Sequence, residues 1–295
     1  MRIGRHMPTN ANAIKAAEQA QKLGCNAIQI FSSNPTGWSP TQGGEENCAA
    51  FARTARLHDL APIVLHAPYL INLAAPDDLI WEKSIALLRW TLRRGMLLTA
   101  SYVVFHVGSH KGAGVEAGIE RVAQAIERIL PETPPEVMLL LENSVGAGNT
   151  LGGPFEELAS VLDSLPGYLP RLGVCLDTAH LWGAGHDIST SETVLQVLDH
   201  FDKIIGLQRL KVLHLNDTEK QLGSHRDVHT RIGEGIIGTA GLSALLRDPR
   251  LAHVAILLET PIQTDEAGKE DWEHDKAHLA RVKQLLYADE DTHLP

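Results

Sequence analysis

The stretch KVLHLNDTEKQLGSHRDVHTRIGEG, residues 211–235, joins an apolar run of strand length to a polar loop. The run has His214 near its end, and the loop contains Asp227 and His229 before a glycine-rich exit. Similar runs rich in Val, Ile and Leu recur along the chain, and most of them have a histidine, an aspartate or a glutamate at or near their C-terminal end. The number and spacing of these runs decide the fold.

Eight such runs alternate with helical patterns over about 260 residues, as in an eightfold strand–helix repeat. They occupy residues 2–7, 26–31, 61–67, 102–108, 137–143, 171–177, 210–217 and 253–260. Near-continuous apolar runs are typical of parallel strands that are buried on both faces. The alternation therefore predicts an α/β fold of the TIM-barrel type. A doubly wound open sheet is the alternative.

Helix-ending signals lie between the runs. An Ala-rich pattern over residues 11–24 closes on Gly24, a natural C-cap. The pattern over residues 77–95 begins with acidic residues and ends with arginines and Gly95, which matches the helix dipole. No low-complexity linker divides the chain, so we expect residues 1–295 to form one domain, with a loose tail over residues 286–295.

The composition limits the classes of function. The chain has 295 residues, is 44% hydrophobic and carries a formal net charge of −10. A protein that binds nucleic acid through a basic surface usually has the opposite charge, so phosphate binding would need a local positive site such as bound metal. The three cysteines form no CxxC pair, which indicates a reducing compartment. Without a signal peptide or a membrane-spanning run, we expect a cytoplasmic monomer with no membrane contact.

Nine His, Asp and Glu side chains stand at or just after the C-terminal ends of the runs. They are His66, His106, Glu142, Asp177, His180, His214, Asp227, His229 and Glu259. In a TIM barrel these strand ends form one rim, where the active site is built. A set of five histidines and four carboxylates suits Zn²⁺ or Mn²⁺, and it is too large for one tetrahedral ion. We expect three ions and at least one bridging carboxylate, because that arrangement fits the number of ligands. Carboxylates packed together without cations would repel one another, which is a separate reason to expect bound cations.

Each of these residues alone indicates little. A lone histidine at a strand end, such as His66, is more often a hydrogen-bonded core residue than a ligand. The functional interpretation rests on all nine sharing one rim. Cys175 lies inside an apolar run with nothing nearby to lower its pKa, so we do not expect it to be a nucleophile. The helical spacing of Trp81 and Trp90 predicts core contacts.

Several longer motifs surround these residues. They are LHAPYLINL at 65–73, FHVGSH at 105–110, LEN at 141–143, GVCLDTAHLWGAGHD at 173–187, HLNDTEKQLGSHRDVHTRIGEGIIG at 214–238 and LLET at 257–260. In their order and spacing, the chain resembles the endonuclease IV family of metal-dependent apurinic/apyrimidinic endonucleases over nearly its whole length.

The resemblance implies a TIM barrel with three zinc ions, for which Mn²⁺ is a substitute. It assigns His66, His106 and a bridging Glu142 to the first ion. The second takes Glu142, Asp177, His214 and Glu259, and the third takes His180, Asp227 and His229. Glu142 and Glu259 would act by positioning the metals and a bridging hydroxide. Members of this family cleave double-stranded DNA on the 5′ side of an abasic site, leaving a 3′-hydroxyl and a 5′-deoxyribose phosphate, and they trim blocked 3′ ends.

The resemblance also implies how DNA would be held. Tyr69 and Leu70 match the positions that insert into the gap left by the flipped nucleotide, and an aromatic and aliphatic wedge suits an unstacked step. Arg226 and Arg231 are the expected cationic contacts.

Two departures bear on DNA affinity. Thr36 and Val228 stand where relatives often have arginine, so two cations are missing from the expected DNA face. Arg226, Arg231 or Lys111 would have to replace them. The loss affects affinity, salt dependence and lesion preference, and it leaves the ligand set intact.

Two other functions remain open. A metal-dependent sugar isomerase or epimerase of the same fold would need only Glu142, Asp177, His214 and Glu259, which leaves five of the nine residues without a role. A non-catalytic barrel that binds DNA or metal would agree with the lost arginines, but the complete ligand set argues against it.

Overall fold

The computed structural model describes residues 1–9, 12–40, 44–264 and 270–287. Eight parallel strands follow one another in chain order around a closed barrel, and β8 pairs with β1. The predicted TIM barrel is therefore confirmed, and the doubly wound open sheet is excluded. Of the predicted tail over residues 286–295, residues 288–295 lie outside the described part of the chain.

Each strand falls within a predicted apolar run. The strands are β1 (Arg2–His6), β2 (Ala27–Phe31), β3 (Ile63–His66), β4 (Tyr102–His106), β5 (Met138–Glu142), β6 (Leu172–Asp177), β7 (Leu210–His214) and β8 (Ala255–Leu258).

Helices follow the strands on the outside of the barrel. They are α1 (Ala13–Leu23), α2 (Glu45–Leu57), α3 (Asp78–Leu97), α4 (Val115–Ile129), α5 (Phe155–Asp163), α6 (Thr178–Ala184), α7 (Ser191–Ile204), α8 (Thr239–Arg247) and α9 (Trp272–Gln284). Short 3₁₀ turns lie at Leu130–Glu132, Pro166–Arg171, Leu207–Arg209 and Pro249–Leu251. No helix within the described residues is long and apolar enough to cross a membrane.

The two glycines predicted to end helices behave differently. Gly24 caps α1 in the left-handed conformation, with φ of 86°, as predicted. Gly95 does not end α3, which continues to Leu97, so that prediction was wrong. A Cβ at Gly95 would lie 3.2 Å from the side chain of Val137 and 3.6 Å from that of Val103. Gly95 therefore allows α3 to lie close against the barrel.

The barrel interior contains a layer of small and branched side chains, one from each of seven strands. The layer consists of Ala27, Val64, Val104, Leu140, Cys175, Val212 and Leu257. A larger apolar layer lies between the barrel and the helices. Burial raises the pKa of the Cys175 thiol to about 12, so this cysteine is an inert core residue, as predicted. The mouth formed by the strand C-termini lies directly above the interior layer.

The first strand contributes a glycine where β1 and β2 meet. A Cβ at Gly4 would overlap the backbone carbonyl of Ala27, its pairing partner on β2. We expect Gly4→Ala to lower the free energy of unfolding by about 1–3 kcal/mol or more, because a packed barrel accommodates an added methyl only by moving backbone. Gly167→Ala is the matched control, since a Cβ there meets nothing within 4 Å. Equal urea midpoints for the two variants would contradict this account.

Candidate metal centre

Strand alternation positions six of the nine predicted side chains. Each stands two residues after a member of the interior layer, on the same strand or directly after it. Because alternate residues of a strand point to the same side, all six reach into the barrel mouth. They are His66, His106, Glu142, Asp177, His214 and Glu259.

The remaining three come from a helix and a loop. His180 lies in the first turn of α6, and the carboxylate of Asp177 caps that helix by accepting the His180 N–H at 2.9 Å. Asp227 and His229 lie in the segment between β7 and α8, which we call the β7 loop (residues 215–238). All nine residues meet at the end of the barrel formed by the C-termini of the strands, as the sequence predicts.

A first group surrounds one oxygen of Glu142. The Nε2 atom of His66 lies 3.2 Å from Glu142 Oε2, and that of His106 lies 3.8 Å from the same oxygen. His66 donates its other ring N–H to the carbonyl of Ala67 at 2.7 Å, which directs Nε2 into the site.

A second group surrounds His214, whose ring is fully buried. Its Nδ1 atom lies 2.9 Å from Glu142 Oε1, 3.2 Å from Glu259 Oε2 and 3.9 Å from Asp177 Oδ2. Glu142 therefore belongs to the first and second groups, one oxygen to each. This is the geometry expected of a bridging carboxylate.

A third group lies at the mouth of the barrel. Asp227 Oδ1 lies 3.3 Å from His180 Nε2 and 3.2 Å from His229 Nε2. His229 Nε2 also lies 3.5 Å from Asp177 Oδ2, although it makes no hydrogen bond within the described residues. Asp177 thus joins the second and third groups, a link that the sequence did not predict.

The three groups differ in how deeply their side chains are buried. The side chains of Glu142, Asp177 and His214 have no exposed surface, whereas that of Asp227 is 53% exposed. The shared carboxylates therefore form the floor of the site, and the third group faces solvent.

Two buried asparagines hold Asp177 in place. Asn143 Oδ1 accepts the backbone N–H of Asp177 at 2.6 Å, and its backbone carbonyl accepts a hydrogen bond from His180 Nδ1 at 2.9 Å. Asn216 donates to Asp177 Oδ2 at 2.6 Å and accepts the Glu259 N–H at 3.0 Å. Both asparagines lie in the quoted motifs, but sequence reasoning gave them no role.

Gln29 was also missed. Its amide donates to Glu259 Oε1 at 2.5 Å and accepts from His214 Nε2 at 2.9 Å, and His6 Nδ1 lies 2.9 Å from the same amide nitrogen. Gln29 stands two residues after Ala27 of the interior layer. The alternation that placed the ligands could therefore have identified it.

The buried histidines and carboxylates of the cluster shift one another's pKa values. Burial alone would raise the pKa of Glu142, but the imidazoles of His106 and His214 outweigh it and hold that pKa well below its usual range. Burial would lower the pKa of His180 and of His229. The nearby carboxylates, Asp177 first, instead raise them to about 10 and about 9. Protonated imidazoles therefore compensate the carboxylates.

The donor set fits divalent metal ions. Ligand atoms of three sets lie within 4.8 Å of one another: His66, His106 and Glu142; Glu142, Asp177, His214 and Glu259; and Asp177, His180 and His229. Imidazole nitrogens and carboxylate oxygens are the donors that Zn²⁺ and Mn²⁺ accept. Cys175 also lies near Glu142 and His214, but its high pKa makes it a poor donor.

Beside the cluster, an aromatic residue faces solvent. The Tyr69 side chain is 58% exposed, and its ring contacts those of Phe31, His66 and His106 at centroid distances of 5.2–5.9 Å. Leu70 follows and is half-buried. Tyr69 therefore lies beside the cluster, and the insertion of Tyr69 and Leu70 into DNA stays a prediction.

The two arginines predicted to contact DNA differ in their surroundings. Arg226 is exposed, next to Asp227. Arg231 is only 8% exposed: its guanidinium lies 3.6 Å from Asp275 and donates to Gln263 at 2.6 Å and to the carbonyl of Pro261 at 2.9 Å. This placement argues against the predicted DNA contact, because those groups already occupy the guanidinium.

The two positions that lack arginine also lie near the mouth. Thr36 is exposed and bonds to Asn34, and Val228 is half-buried between Asp227 and His229. Lys111 is exposed on a backbone with φ of 50°.

Comparisons with known proteins agree with this architecture. A family model described as a xylose isomerase-like TIM barrel matches residues 17–282. A probable endonuclease 4 from Halothermothrix orenii is 41% identical over 261 residues, which cover 88% of this chain and 94% of the relative. A probable endonuclease 4 from Natranaerobius thermophilus is 42% identical over 286 residues, which cover 97% and 98%.

Solved structures distinguish relatives within the family from proteins that share only the fold. The crystal structure of endonuclease IV from Thermus thermophilus matches with a TM-score of 0.83 and 35% identity, covering 97% of this chain and 99% of that one. A D-psicose 3-epimerase crystallised with D-fructose matches with a TM-score of 0.72 but 16% identity, covering 98% of this chain and 100% of that one, so the likeness extends to the fold alone. By its sequence and by its fold, the chain belongs to the endonuclease IV family.

Proposed function

We propose that this protein is a zinc-dependent DNA-repair endonuclease. It hydrolyses the phosphodiester bond on the 5′ side of an abasic site in double-stranded DNA, leaves a 3′-hydroxyl and a 5′-deoxyribose phosphate, and trims blocked 3′ ends. The observation that carries the proposal is the continuous cluster of nine side chains, joined through Glu142 and Asp177, in a chain whose relatives are named endonuclease 4.

We assign three zinc ions, with Mn²⁺ as a substitute, to the three groups of the cluster. Glu142 would bridge the first and second ions, since one of its oxygens faces each group. His180, Asp227 and His229 would hold the third ion at the mouth, since Asp227 Oδ1 lies within 3.3 Å of both imidazoles. Asp177 belongs to the second ion and lies within reach of the third.

The residues of the site have two roles: they position the metal ions, and they leave space for the substrate. When bound, the zinc ions supply an activated water at neutral pH and positive charge for the phosphate. The buried Glu142 fixes the spacing of the groups, and Glu259 is held at its carboxylate by Gln29. A cavity of about 850 Å³ opens beside Glu259 and Tyr69, which is ample space for a flipped-out sugar phosphate.

The alternative functions leave parts of the site unexplained. A sugar isomerase or epimerase would use the second group and leave the first and third groups without a role. The epimerase structures support that alternative only through a shared fold. A non-catalytic binding protein would have no need of the complete donor set.

Incision of an abasic duplex is the first test. We expect cleavage on the 5′ side of a single tetrahydrofuran residue, and a loss of about 100-fold or more in Glu259→Gln, because catalysis depends on metals held in position. Glu156→Gln, on the exposed face of α5, is the matched control. Gel analysis of end-labelled strands measures both. If the zinc-loaded protein leaves the duplex intact, the proposed activity is wrong.

Proton release is the second test. The pKa values of about 10 for His180 and about 9 for His229 leave both imidazoles protonated at neutral pH, and zinc binds the neutral form. Loading the metal-free protein should release protons from both imidazoles, and the number should fall as the pH rises through these two pKa values. Calorimetry in buffers of different ionisation enthalpy counts the protons. Asp227→Asn should release fewer, and a wild-type protein that releases none would contradict the assignment.

The two arginines provide a third test. Arg226→Ala should weaken binding to duplex DNA and reduce the slope of log K against log salt by about 1, as expected for one lost phosphate contact. Arg231→Ala should leave the slope unchanged and lower the urea midpoint, because it removes a buried partner of Asp275. Fluorescence anisotropy at several salt concentrations distinguishes them. The reverse pattern would show that Arg231 turns outward to reach DNA.

A further inference from the structure

Asp217 is a buried carboxylate that accepts four hydrogen bonds from backbone N–H groups, and its side chain has no exposed surface. Oδ1 accepts those of Thr218 at 2.9 Å and Ile237 at 3.0 Å. Oδ2 accepts those of Gly233 at 3.1 Å and Gly235 at 3.2 Å. Hydrogen bonds to a charged acceptor are stronger than neutral ones, so this single residue holds several turns of backbone.

These bonds close the base of the β7 loop. The backbones of Asp217 and Thr230 exchange N–H···O bonds of 3.2 and 2.8 Å, and Ile236 donates to the carbonyl of Thr218 at 2.8 Å. The returning chain therefore lies against the outgoing chain just after β7. Asp227 and His229 stand immediately before this closure.

The tip of the loop is held separately. His225 donates its backbone N–H to the carbonyl of Gly183 at 3.0 Å. Its ring Nδ1–H donates to the carbonyl of Val145 at 2.7 Å. Trp182 donates its ring N–H to the carbonyl of Lys220 at 2.8 Å. The tip thus rests on α6, the helix that carries His180. Asp227 and His229 therefore lie between two hydrogen-bonded attachments of the loop.

We propose that Asp217 is a positioning residue for the third metal group. It shapes the base of the β7 loop so that Asp227 and His229 meet His180 before metal or DNA binds. The inference rests on the proposed function, which assigns an ion to that group. An asparagine at position 217 would direct an NH₂ group at backbone N–H donors, so the loop base would open although the size of the side chain is unchanged.

The test counts metal in purified, folded protein. We expect Asp217→Asn to bind the third zinc ion about 10- to 100-fold more weakly, as supporting residues of metal sites do, and to keep the other two. Gly235→Ala should act alike, because a Cβ there would overlap the Asp217 carboxylate and the Thr218 carbonyl. Asp248→Asn is the control: Asp248 is a buried carboxylate that accepts the Arg250 N–H at 2.9 Å but lies outside the cluster.

Elemental analysis after dialysis against buffered zinc reads out the stoichiometry, and circular dichroism confirms folding. Two ions in Asp217→Asn or Gly235→Ala, against three in the wild type and in Asp248→Asn, support the proposal. Three ions in both variants, with lowered thermal stability alone, would assign Asp217 a general structural role and overturn it. If the wild-type protein binds fewer than three ions, the assignment of three metal groups is wrong and the proposal fails with it. Incision of abasic DNA tests the proposed activity separately.

Discussion

The structure of the site depends on the contact between Glu142 and the histidines around it. Four imidazoles lie within 4 Å of its two oxygens, at distances of 2.9–3.8 Å. A carboxylate without exposed surface is tolerated only where positive charge or several hydrogen-bond donors surround it, and around Glu142 the imidazoles supply both. In the metal-free protein the carboxylates raise the pKa values of His66, His180 and His214, which favours their protonated forms, whereas burial lowers that of His106. The proposed zinc ions would replace the protons of these imidazoles. The same balance extends through Asp177 to the third group, so the nine side chains form one electrostatic unit.

Much of this arrangement could be predicted from the sequence, because barrel strands follow a simple rule. Apolar runs of the correct length and number predicted the barrel, and the His, Asp and Glu residues near the ends of six runs marked its mouth. The position of His180 followed from the strand end at Asp177, three residues earlier, where the helix begins. The alternation of strand residues would also have identified Gln29, two residues after the interior Ala27.

Features that depend on distant contacts could not be predicted. Gly95 has the sequence of a helix end, yet it lies inside α3 because its neighbours are Val137 and Val103 on the barrel. Arg231 has the sequence of a loop cation, but a carboxylate on α9, Asp275, lies 3.6 Å from it and accounts for its burial. The sharing of Asp177 between two groups likewise depends on where the β7 loop brings His229. None of these contacts has a local signal.

The chain is acidic, and so is DNA, so the net charge of the protein does not favour binding to DNA. With a net charge of −10 and no arginine at positions 36 and 228, the attraction for phosphate would come largely from bound cations. The attraction for DNA therefore depends on how many metal ions bind and where they bind. Anomalous diffraction at the zinc edge, from crystals of the zinc-loaded protein, tests it directly. We predict three peaks, two on either side of Glu142 and a third among His180, Asp227 and His229. A single peak within the group of Glu142, Asp177, His214 and Glu259 would contradict the account.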